Sequence, residues 1–300
     1  MNNENFRKSR KKRPLRRRTS PLRKLVTIFL FACVTVALIF IGLFAFGFRI
    51  TNTTVTQYSG DEVRISYIGF MTDGAATSGS ISTSKGIKGT VGGGKIVYAD
   101  GSVYEGELDG YVRSGVGKMI FANGDEYEGE FKNDEIHGQG KFTYYSTLDV
   151  YEGGIAGGKK VGYGKYTYLD KTVYEGNYEN DLPNGQGKLT FYDGSVYEGN
   201  FVNGSRQGSG KHTFANGDVY EGEIENGRAH GTGKYSFFCG DVYEGRFENG
   251  MINGQGKYTW ANGRDYTGTF KDGIAVYVEA DKNEESSGTN GTESTESNAN

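Results

Sequence analysis

The chain has 300 residues, enough for one or two ordinary domains, but its composition argues against an ordinary globule. It contains 49 glycines, 22 tyrosines and 18 phenylalanines with only three prolines and one tryptophan, which favours regular β-structure with tight turns over disorder. The net charge of −3 hides a division, because residues 1–24 carry eleven Lys or Arg and one acid and sum to +10, which leaves −13 for the remainder.

The first predicted element is a membrane-spanning helix at residues 25–48. This run of 24 residues carries no charge, and an α-helix of that length spans roughly 36 Å, more than the ~30 Å hydrocarbon core of a bilayer. A cleaved signal peptide is the alternative, since small residues lie near Ala45 and Gly47, but its apolar core usually has only about 7–15 residues. An uncleaved, single-pass signal anchor is therefore the preferred interpretation.

A basic tail at residues 1–24 precedes this helix and predicts its orientation. By the positive-inside rule the tail stays in the cytoplasm, and the chain after residue 48 lies on the extracytoplasmic side of the cell membrane. The same charges attract anionic lipid headgroups. A nucleic-acid-binding tail is the rival interpretation, but the direct connection to an apolar helix favours a role in topology, and no nucleic acid is expected as a partner.

Two segments without regular repeats flank the rest of the chain. Residues 49–80 are rich in Thr, Ser and Gly and predict a stalk or linker, with strand character at residues 62–70. Residues 279–300 have no core-forming pattern and predict a disordered acidic and polar tail.

Residues 81–278 carry a repeat with a period of about 23 residues, which indicates a repeat array. Tyr-Glu-Gly, or once Tyr-Thr-Gly, begins at Tyr104, Tyr127, Tyr151, Tyr174, Tyr197, Tyr220, Tyr243 and Tyr266. Eleven residues after the first seven of these tyrosines comes Gly-x-Gly-Lys, whose glycines are Gly115, Gly117, Gly138, Gly140, Gly162, Gly164, Gly185, Gly187, Gly208, Gly210, Gly231, Gly233, Gly254 and Gly256. An earlier copy at residues 92–95 places a degenerate first repeat at about Ile81. The last unit has Tyr277 where a glycine belongs and predicts a capping strand.

Each repeat predicts a β-hairpin. A period of two residues puts Tyr127, Gly129 and Phe131 on one face of the first strand. Turn dipeptides such as Asn133-Asp134 and Asp109-Gly110 follow, and both glycines of Gly-x-Gly leave room for aromatic rings against the return strand. The predicted fold is an all-β repeat array of about sixteen strands, an elongated twisted antiparallel sheet of consecutive hairpins after one transmembrane helix.

Charged and glycine-rich positions in the repeats predict structure rather than catalysis. The glutamates of Tyr-Glu-Gly recur at one repeat position and face lysines, which indicates a charge ladder, whereas catalysis needs one asymmetric group of residues. No helix follows Gly-x-Gly, as a nucleotide site requires. The two cysteines, Cys33 and Cys239, lie far apart, and the three histidines have no metal-ligand spacing. No enzyme activity, catalytic residue, metal or cofactor is expected.

The paired signatures resemble the membrane occupation and recognition nexus (MORN) repeat over about two-thirds of the chain. The clearest units read YEGEFKNDEIHGQGKFTY, YEGEIENGRAHGTGKYSF and YEGRFENGMINGQGKYTW. The family often has Trp where this chain has Phe131, Phe201 or Leu108. The resemblance implies non-catalytic modules that serve as scaffolds, dimerisation elements or membrane- and lipid-contacting surfaces. In some relatives such modules are fused to lipid kinases or methyltransferases, and residues outside these repeats resemble neither.

Two functional hypotheses follow. The chain is a membrane-anchored scaffold that binds a protein partner or self-associates, or it is an envelope module whose aromatic face binds polysaccharide or anionic lipid. Whether that face is a ligand site or only core stays open. Its candidate aromatics are Tyr104, Tyr127, Tyr151, Tyr174, Tyr197, Tyr220, Tyr243, Tyr266, Phe131, Phe201, Phe247 and Trp260.

Overall fold

The computed structural model describes residues 21–276, which form one helix and a single long open antiparallel β-sheet of consecutive hairpins. The sixteen strands of the regular repeats agree with the expected number of about sixteen, and five further strands precede them, so the described sheet has 21 strands. The expected features at residues 1–20, at Tyr277 and at residues 279–300 lie outside the described residues. Contacts define two compact units, Met1–Ser146 with Ile155–Gly158, and Thr147–Gly154 with Lys159–Asn300.

The helix α1 spans Pro21–Ala45. The strands before the regular repeats are β1 (Phe48–Thr56), β2 (Glu62–Thr72), β3 (Ala75–Thr83), β4 (Lys88–Gly92) and β5 (Lys95–Tyr98). Those of the regular repeats are β6 (Val103–Asp109), β7 (Val112–Ile120), β8 (Glu126–Lys132), β9 (Glu135–Thr143), β10 (Val150–Ala156), β11 (Lys159–Thr167), β12 (Val173–Glu179), β13 (Leu182–Thr190), β14 (Val196–Val202), β15 (Ser205–Thr213), β16 (Val219–Glu225), β17 (Arg228–Ser236), β18 (Val242–Glu248), β19 (Met251–Thr259), β20 (Asp265–Lys271) and β21 (Ile274–Val276).

Two-residue turns close the hairpins of the repeats. Lys132 pairs with Glu135, and both intervening residues, Asn133 and Asp134, have positive φ (52° and 67°), as a type I′ turn requires. The predicted Asp109-Gly110 turn is displaced by one residue, because Asp109 pairs with Val112 and the turn is Gly110-Tyr111. Only Gly110 has positive φ there, which fits the glycine-first type II′ turn.

A β-bulge gives the two glycines of each Gly-x-Gly different roles. The register shifts between Gly129 and Phe131, and the opposing Gly138 takes a left-handed φ of 73°. The first glycine of the other six copies is also left-handed, with φ between 60° and 97°. The expectation that both glycines clear space for rings is therefore wrong for the first one: a Cβ at Gly138 would meet the side chain of Glu130, not an aromatic ring.

Residues 49–80 form the paired strands β1, β2 and most of β3 instead of the expected stalk or linker. The predicted strand character at residues 62–70 is confirmed, since β2 covers it and buries Val63, Ile65 and Tyr67. The Tyr67 hydroxyl donates to the carbonyls of Phe70 (2.6 Å) and Ser78 (2.9 Å), and its ring lies over paired glycines, as in the later repeats. The sequence did not reveal this pattern for two reasons: the segment is rich in Thr and Ser, and the position of Tyr67 does not follow the period of 23 residues.

The hairpin of β1 and β2 also contacts turns that lie far along the chain. The Tyr111 hydroxyl donates to Thr53 Oγ1 (2.9 Å), the Asn133 amide to the Thr56 carbonyl (2.9 Å), and the Tyr58 backbone N–H to the Glu135 carboxylate (2.7 Å). These long-range contacts join the start of the sheet to the regular repeats of the first unit.

The degenerate repeat predicted at Ile81 differs from the later ones. Ile81 is buried in β3, but Gly93 and Gly94 form the turn between β4 and β5 instead of lying in a return strand. Lys95 still keeps its ladder position, since it pairs in register with Glu105 at a charge-to-charge distance of 2.9 Å.

The helix joins the sheet through a two-residue connection. It ends at Ala45, three residues before the predicted boundary, because Gly47 adopts a φ of 91° and β1 begins at Phe48. The Gly47 carbonyl accepts a hydrogen bond from the Met71 N–H (2.9 Å), and the Phe48 ring packs edge-on against Phe70. An apolar stretch at Ile28–Ala45 is long enough to cross a membrane and could equally be a signal sequence.

Candidate functional site

The tyrosines that begin the repeats form the core of the sheet. The exposed fraction of each is 2% or less for Tyr104, Tyr127, Tyr151, Tyr174, Tyr197, Tyr220 and Tyr243. Each hydroxyl donates to the carbonyl of the residue three positions on; the bond from Tyr174 to Asn177 is 3.0 Å. Burial raises the pKa of Tyr174 to about 12. These seven side chains are therefore inaccessible to a ligand.

Each buried tyrosine lies over two glycines. A Cβ at Gly176 would stand 2.5 Å from the Tyr174 hydroxyl, and one at Gly187 would stand 2.7 Å from ring carbon Cε2. The two glycines pair across β12 and β13, so the ring covers both backbones. The glycine of Tyr-Glu-Gly and the second glycine of Gly-x-Gly are thus required by the ring position, since any side chain there would collide with it.

The candidate phenylalanines also belong to the core. Phe131, Phe201 and Phe247 are 3–4% exposed, and each packs edge-on against tyrosines of two successive repeats. Phe131, for example, lies 4.9 Å from Tyr104 and 5.3 Å from Tyr127 between ring centroids. Of the twelve candidates, only Trp260 and Tyr266 are partly exposed. The aromatic face predicted from the sequence is the interior.

Lysines and acidic residues form a ladder at the surface. Lys165, Lys188, Lys211 and Lys234 approach Glu175, Glu198, Glu221 and Glu244 to between 2.7 and 3.2 Å. Lys118 instead approaches Glu126 (2.7 Å), and Lys257 approaches Asp265 (3.2 Å). These side chains are roughly half exposed, so water and salt screen each pair and its contribution to stability is small.

A second set of aromatic rings is half-buried at the surface, and sequence reasoning identified only Trp260 in it. We call this set the outer aromatic row; in the second unit it is Phe191, His212, Phe214, Tyr235, Phe237, Tyr258 and Trp260. Neighbouring rings are 4.1–5.8 Å apart between centroids, so the stack is continuous. The signal was present in the sequence as two aromatic positions that follow Gly-x-Gly-Lys, separated by one residue.

Aspartates link the outer aromatic row from one repeat to the next. Asp218 accepts hydrogen bonds from the Tyr235 hydroxyl (2.7 Å) and the Phe238 N–H (2.8 Å). Asp241 binds Tyr258 and the N–H of Ala261 in the same way. The hydrogen bonds from the Phe238 N–H and then the Tyr235 hydroxyl lower the pKa of Asp218, while burial and then Asp218 raise that of Tyr235.

Large apolar side chains project from the loops beside this row. In the second unit Phe238 is 80% exposed, Tyr192 is 74% exposed and Leu169 is 58% exposed. They occupy the position directly after the last ring of each repeat, where other repeats have alanine. We call these three residues the loop row. The three share one repeat position, and a row of large exposed apolar side chains is a candidate interaction surface.

Chemically reactive groups are few in the described part of the chain. Within residues 21–276, no three His, Cys, Asp or Glu side chains are placed to hold a metal ion. Cys33 and Cys239 are both exposed and unpaired. The outer aromatic row and the loop row are thus suited to bind another molecule through apolar and stacking contacts.

The family comparison matches the repeats directly. The model of the MORN repeat matches residues 104–126, 127–146, 151–173, 174–196, 197–219, 220–241 and 243–263, just over half of the chain. No curated protein matches the chain. One of the solved structures found to be similar is described as a streptogramin B lyase structure; it is 13% identical over 75% of this chain and 88% of that chain. The TM-score is only 0.16, so this likeness carries no argument.

Proposed function

The chain belongs to the MORN repeat family, and on that premise we propose that it is a non-catalytic scaffold anchored in the cell membrane by helix α1. MORN repeats are generally modules for protein or lipid interaction, and proteins built from them are generally non-catalytic. The observation that carries the proposal is the loop row, because Phe238 and Tyr192 expose most of their rings on a sheet whose first seven repeat-initial tyrosines are buried. The partner is a protein or a second copy of the chain.

The proposed anchor is supported by the exposure of the helix. The other described residues leave its apolar side chains uncovered, as for Leu25 (69% exposed) and Phe31 (73% exposed). A helix of this length with free apolar sides is stable in a bilayer. The basic residues before it support an N-terminus in the cytoplasm and a sheet on the extracytoplasmic side.

Binding of envelope polysaccharide or anionic lipid is the second candidate function. The outer aromatic row supports it, because its half-exposed rings form a continuous stacking surface. The first seven tyrosines of the repeats are buried and cannot contact such a ligand, so the outer aromatic row would have to bind it.

Two exposed loop residues provide the test. The full chain, purified in detergent, would be compared with a Tyr192→Ser, Phe238→Ser variant by light scattering and by capture of extracytoplasmic proteins. Tyr163→Ser is the matched control, since Tyr163 is 68% exposed but lies in the middle of β11. We expect the double variant to lose self-association or partner capture while the control keeps it. Monomeric wild type that captures no protein but binds envelope polysaccharide or anionic vesicles would support the second candidate instead.

A further inference from the structure

Three repeats place a cation at the second residue of the return strand, beneath the aromatic rings. These residues are Arg113 in β7, Lys160 in β11 and Arg206 in β15. Arg113 lies 5.5 Å from the centre of the Phe131 ring, and Lys160 lies 5.6 Å from that of Tyr151. Such a partly desolvated cation is costly unless something compensates its charge.

In two of these repeats an aspartate 21 residues later supplies the counter-charge. Asp134 lies 2.7 Å from Arg113 Nε, and Asp181 lies 3.7 Å from Lys160 Nζ. Both aspartates occupy the second position of a type I′ turn, with φ of 67° and 73°. The second residue of this turn is therefore a position from which a carboxylate side chain reaches the buried cation.

The third repeat keeps the cation and lacks the carboxylate. The position 21 residues after Arg206 is Gly227, and the Arg206 Nη2 atom lies only 3.1 Å from where a Cβ on Gly227 would stand. The guanidinium lies over the rings of Phe191 (5.4 Å) and Tyr197 (5.3 Å). Its Nη1 atom is buried and has no hydrogen-bond partner among residues 21–276.

A second unsatisfied nitrogen lies against the same rings. His212 packs 5.7 Å from Phe191 and 6.4 Å from Tyr197, and its buried Nε2 atom has no partner in the described chain. The nearby Asp193 carboxylate uses its Oδ1 atom to accept from the N–H and hydroxyl of Ser195, and neither of its oxygens is a hydrogen-bond partner of His212 Nε2. Two buried polar groups without acceptors in one place indicate a missing acceptor.

We propose that Arg206 and His212 form a binding site for one carboxylate group, supplied from outside the repeat in place of the aspartate at position 227. The chain itself indicates the chemical class, because a carboxylate is what Arg113 and Lys160 receive in the equivalent places. A carboxylate suits the site further because its two oxygens accept from the planar guanidinium and from the imidazole together.

Acetate is the probe for this site. The apparent unfolding midpoint of the full chain in detergent would be followed by the fluorescence of its one tryptophan, Trp260, in sodium acetate and in sodium chloride of equal ionic strength. Ligand that binds only the folded state stabilises it, so we expect the wild-type midpoint to be about 2–4 °C higher in acetate. Equal midpoints in the two salts, for the full chain and for a chain ending at residue 278 alike, would overturn the proposal.

Three variants separate site binding from the general effect of acetate on protein hydration. Arg206→Gln should lose the acetate-specific rise. Gly227→Asp restores the internal carboxylate, and should raise the midpoint in chloride and abolish the rise in acetate. Gly273→Asp is the matched control: it occupies the same turn position, but the residue 21 positions earlier is the apolar Ile252, so the acetate rise should persist. A rise retained in Gly227→Asp contradicts the proposal even if Arg206→Gln fails to fold.

One further arm distinguishes the source of the carboxylate. Residues 279–300 of the same chain contain several acidic side chains. If they occupy the site, a chain ending at residue 278 will show a larger acetate-specific rise than the full chain. If the carboxylate comes from another molecule, the two chains will show the same rise. Both results require that acetate raises the unfolding midpoint of at least one of the two chains in a way that depends on Arg206. If neither chain shows this rise, the proposed site is refuted.

Discussion

The Asp218 carboxylate accepts a hydrogen bond of 2.7 Å from the hydroxyl of Tyr235, seventeen residues further along the chain. The same carboxylate accepts from the N–H of Phe238, so one side chain holds both the return strand and the loop of the following repeat. This link recurs at Asp149 and Asp241. It adds a polar connection between neighbouring repeats to the apolar one made by the tyrosines.

Removing one half of this link should destabilise the second unit modestly. Tyr235→Phe deletes the hydroxyl and leaves Asp218 Oδ2 with the hydrogen bond from Asn216 Nδ2, so we expect a loss of about 1 kcal/mol in the free energy of unfolding. Chemical denaturation measures it. A double-mutant cycle with Asp218→Asn should give less than the sum of the single losses, and strict additivity would show that the bond contributes nothing.

The lowered pKa of Asp218 predicts a specific acid sensitivity. A carboxyl whose folded-state pKa lies below its ordinary value of about 3.9 contributes its full stabilisation above that value. It loses this contribution as the pH falls through the folded-state pKa. Between about pH 4 and pH 2, the unfolding midpoint of the wild type should therefore decline more steeply than that of Asp218→Asn. Parallel curves for the two proteins would contradict this assignment.

Adding one methyl group under a buried tyrosine should be strongly destabilising. In Gly187→Ala the new Cβ would lie 2.7 Å from the Tyr174 ring, so ring or backbone must move, at a cost of about 1–3 kcal/mol. Gly92→Ala is the control, because nothing lies within 4 Å of a Cβ at that glycine. Thermal unfolding should separate the two variants, and similar midpoints would mean that the ring can move aside without penalty.

The buried pair of Arg113 and Asp134 should be the most sensitive charge site in the first unit. Their side chains are only 14% and 9% exposed, and Asp134→Asn would leave the guanidinium without its counter-charge. We expect a loss of about 3–5 kcal/mol, measured by denaturation. The double variant Arg113→Met, Asp134→Asn should recover much of this loss, since the unpaired charge is then gone. No recovery would mean that the cost comes from the turn and not from the charge.

The proposed topology can be tested by labelling the exposed Cys239. A membrane-impermeant maleimide added to intact cells should label Cys239 in the sheet, and Cys239→Ser should abolish the signal. Labelling only after lysis would place the sheet in the cytoplasm. Recovery of the chain in the medium with Leu25–Ala45 missing would identify the helix as a cleaved signal sequence.

The period of 23 residues was sufficient to predict the hairpins, their order and the burial side of Tyr127 and Phe131, because tyrosine spacing and strand alternation are local properties. The bulge at Gly138 was not predictable from alternation, since it keeps the facing of the strand and changes only the register: Tyr127 opposes Phe142, but Phe131 opposes Ile136 instead of Gly138. The role of Tyr67 was not predictable from the repeat, because ten residues separate Gly69 from the opposing Gly79, whereas eleven separate the paired glycines of the later repeats. The outer aromatic row was not predictable from alternation, because alternation assigns its rings to the same face as the buried tyrosines and does not distinguish a half-buried ring from a core one.

The hydrogen bond from the Met71 N–H to the Gly47 carbonyl affects how the first hairpin is oriented relative to a membrane. It fixes the second strand to the residue that terminates the helix, and only Phe46 and Gly47 separate helix from sheet. With α1 inserted in a bilayer, the first hairpin must tilt when the helix tilts. It cannot reorient freely, as a domain on a flexible linker does. Whatever the first unit holds is then kept at a set height above the lipid, and a flexible insert at Gly47 should widen the distribution of distances between the bilayer and a label in that unit, for example at the exposed Tyr145.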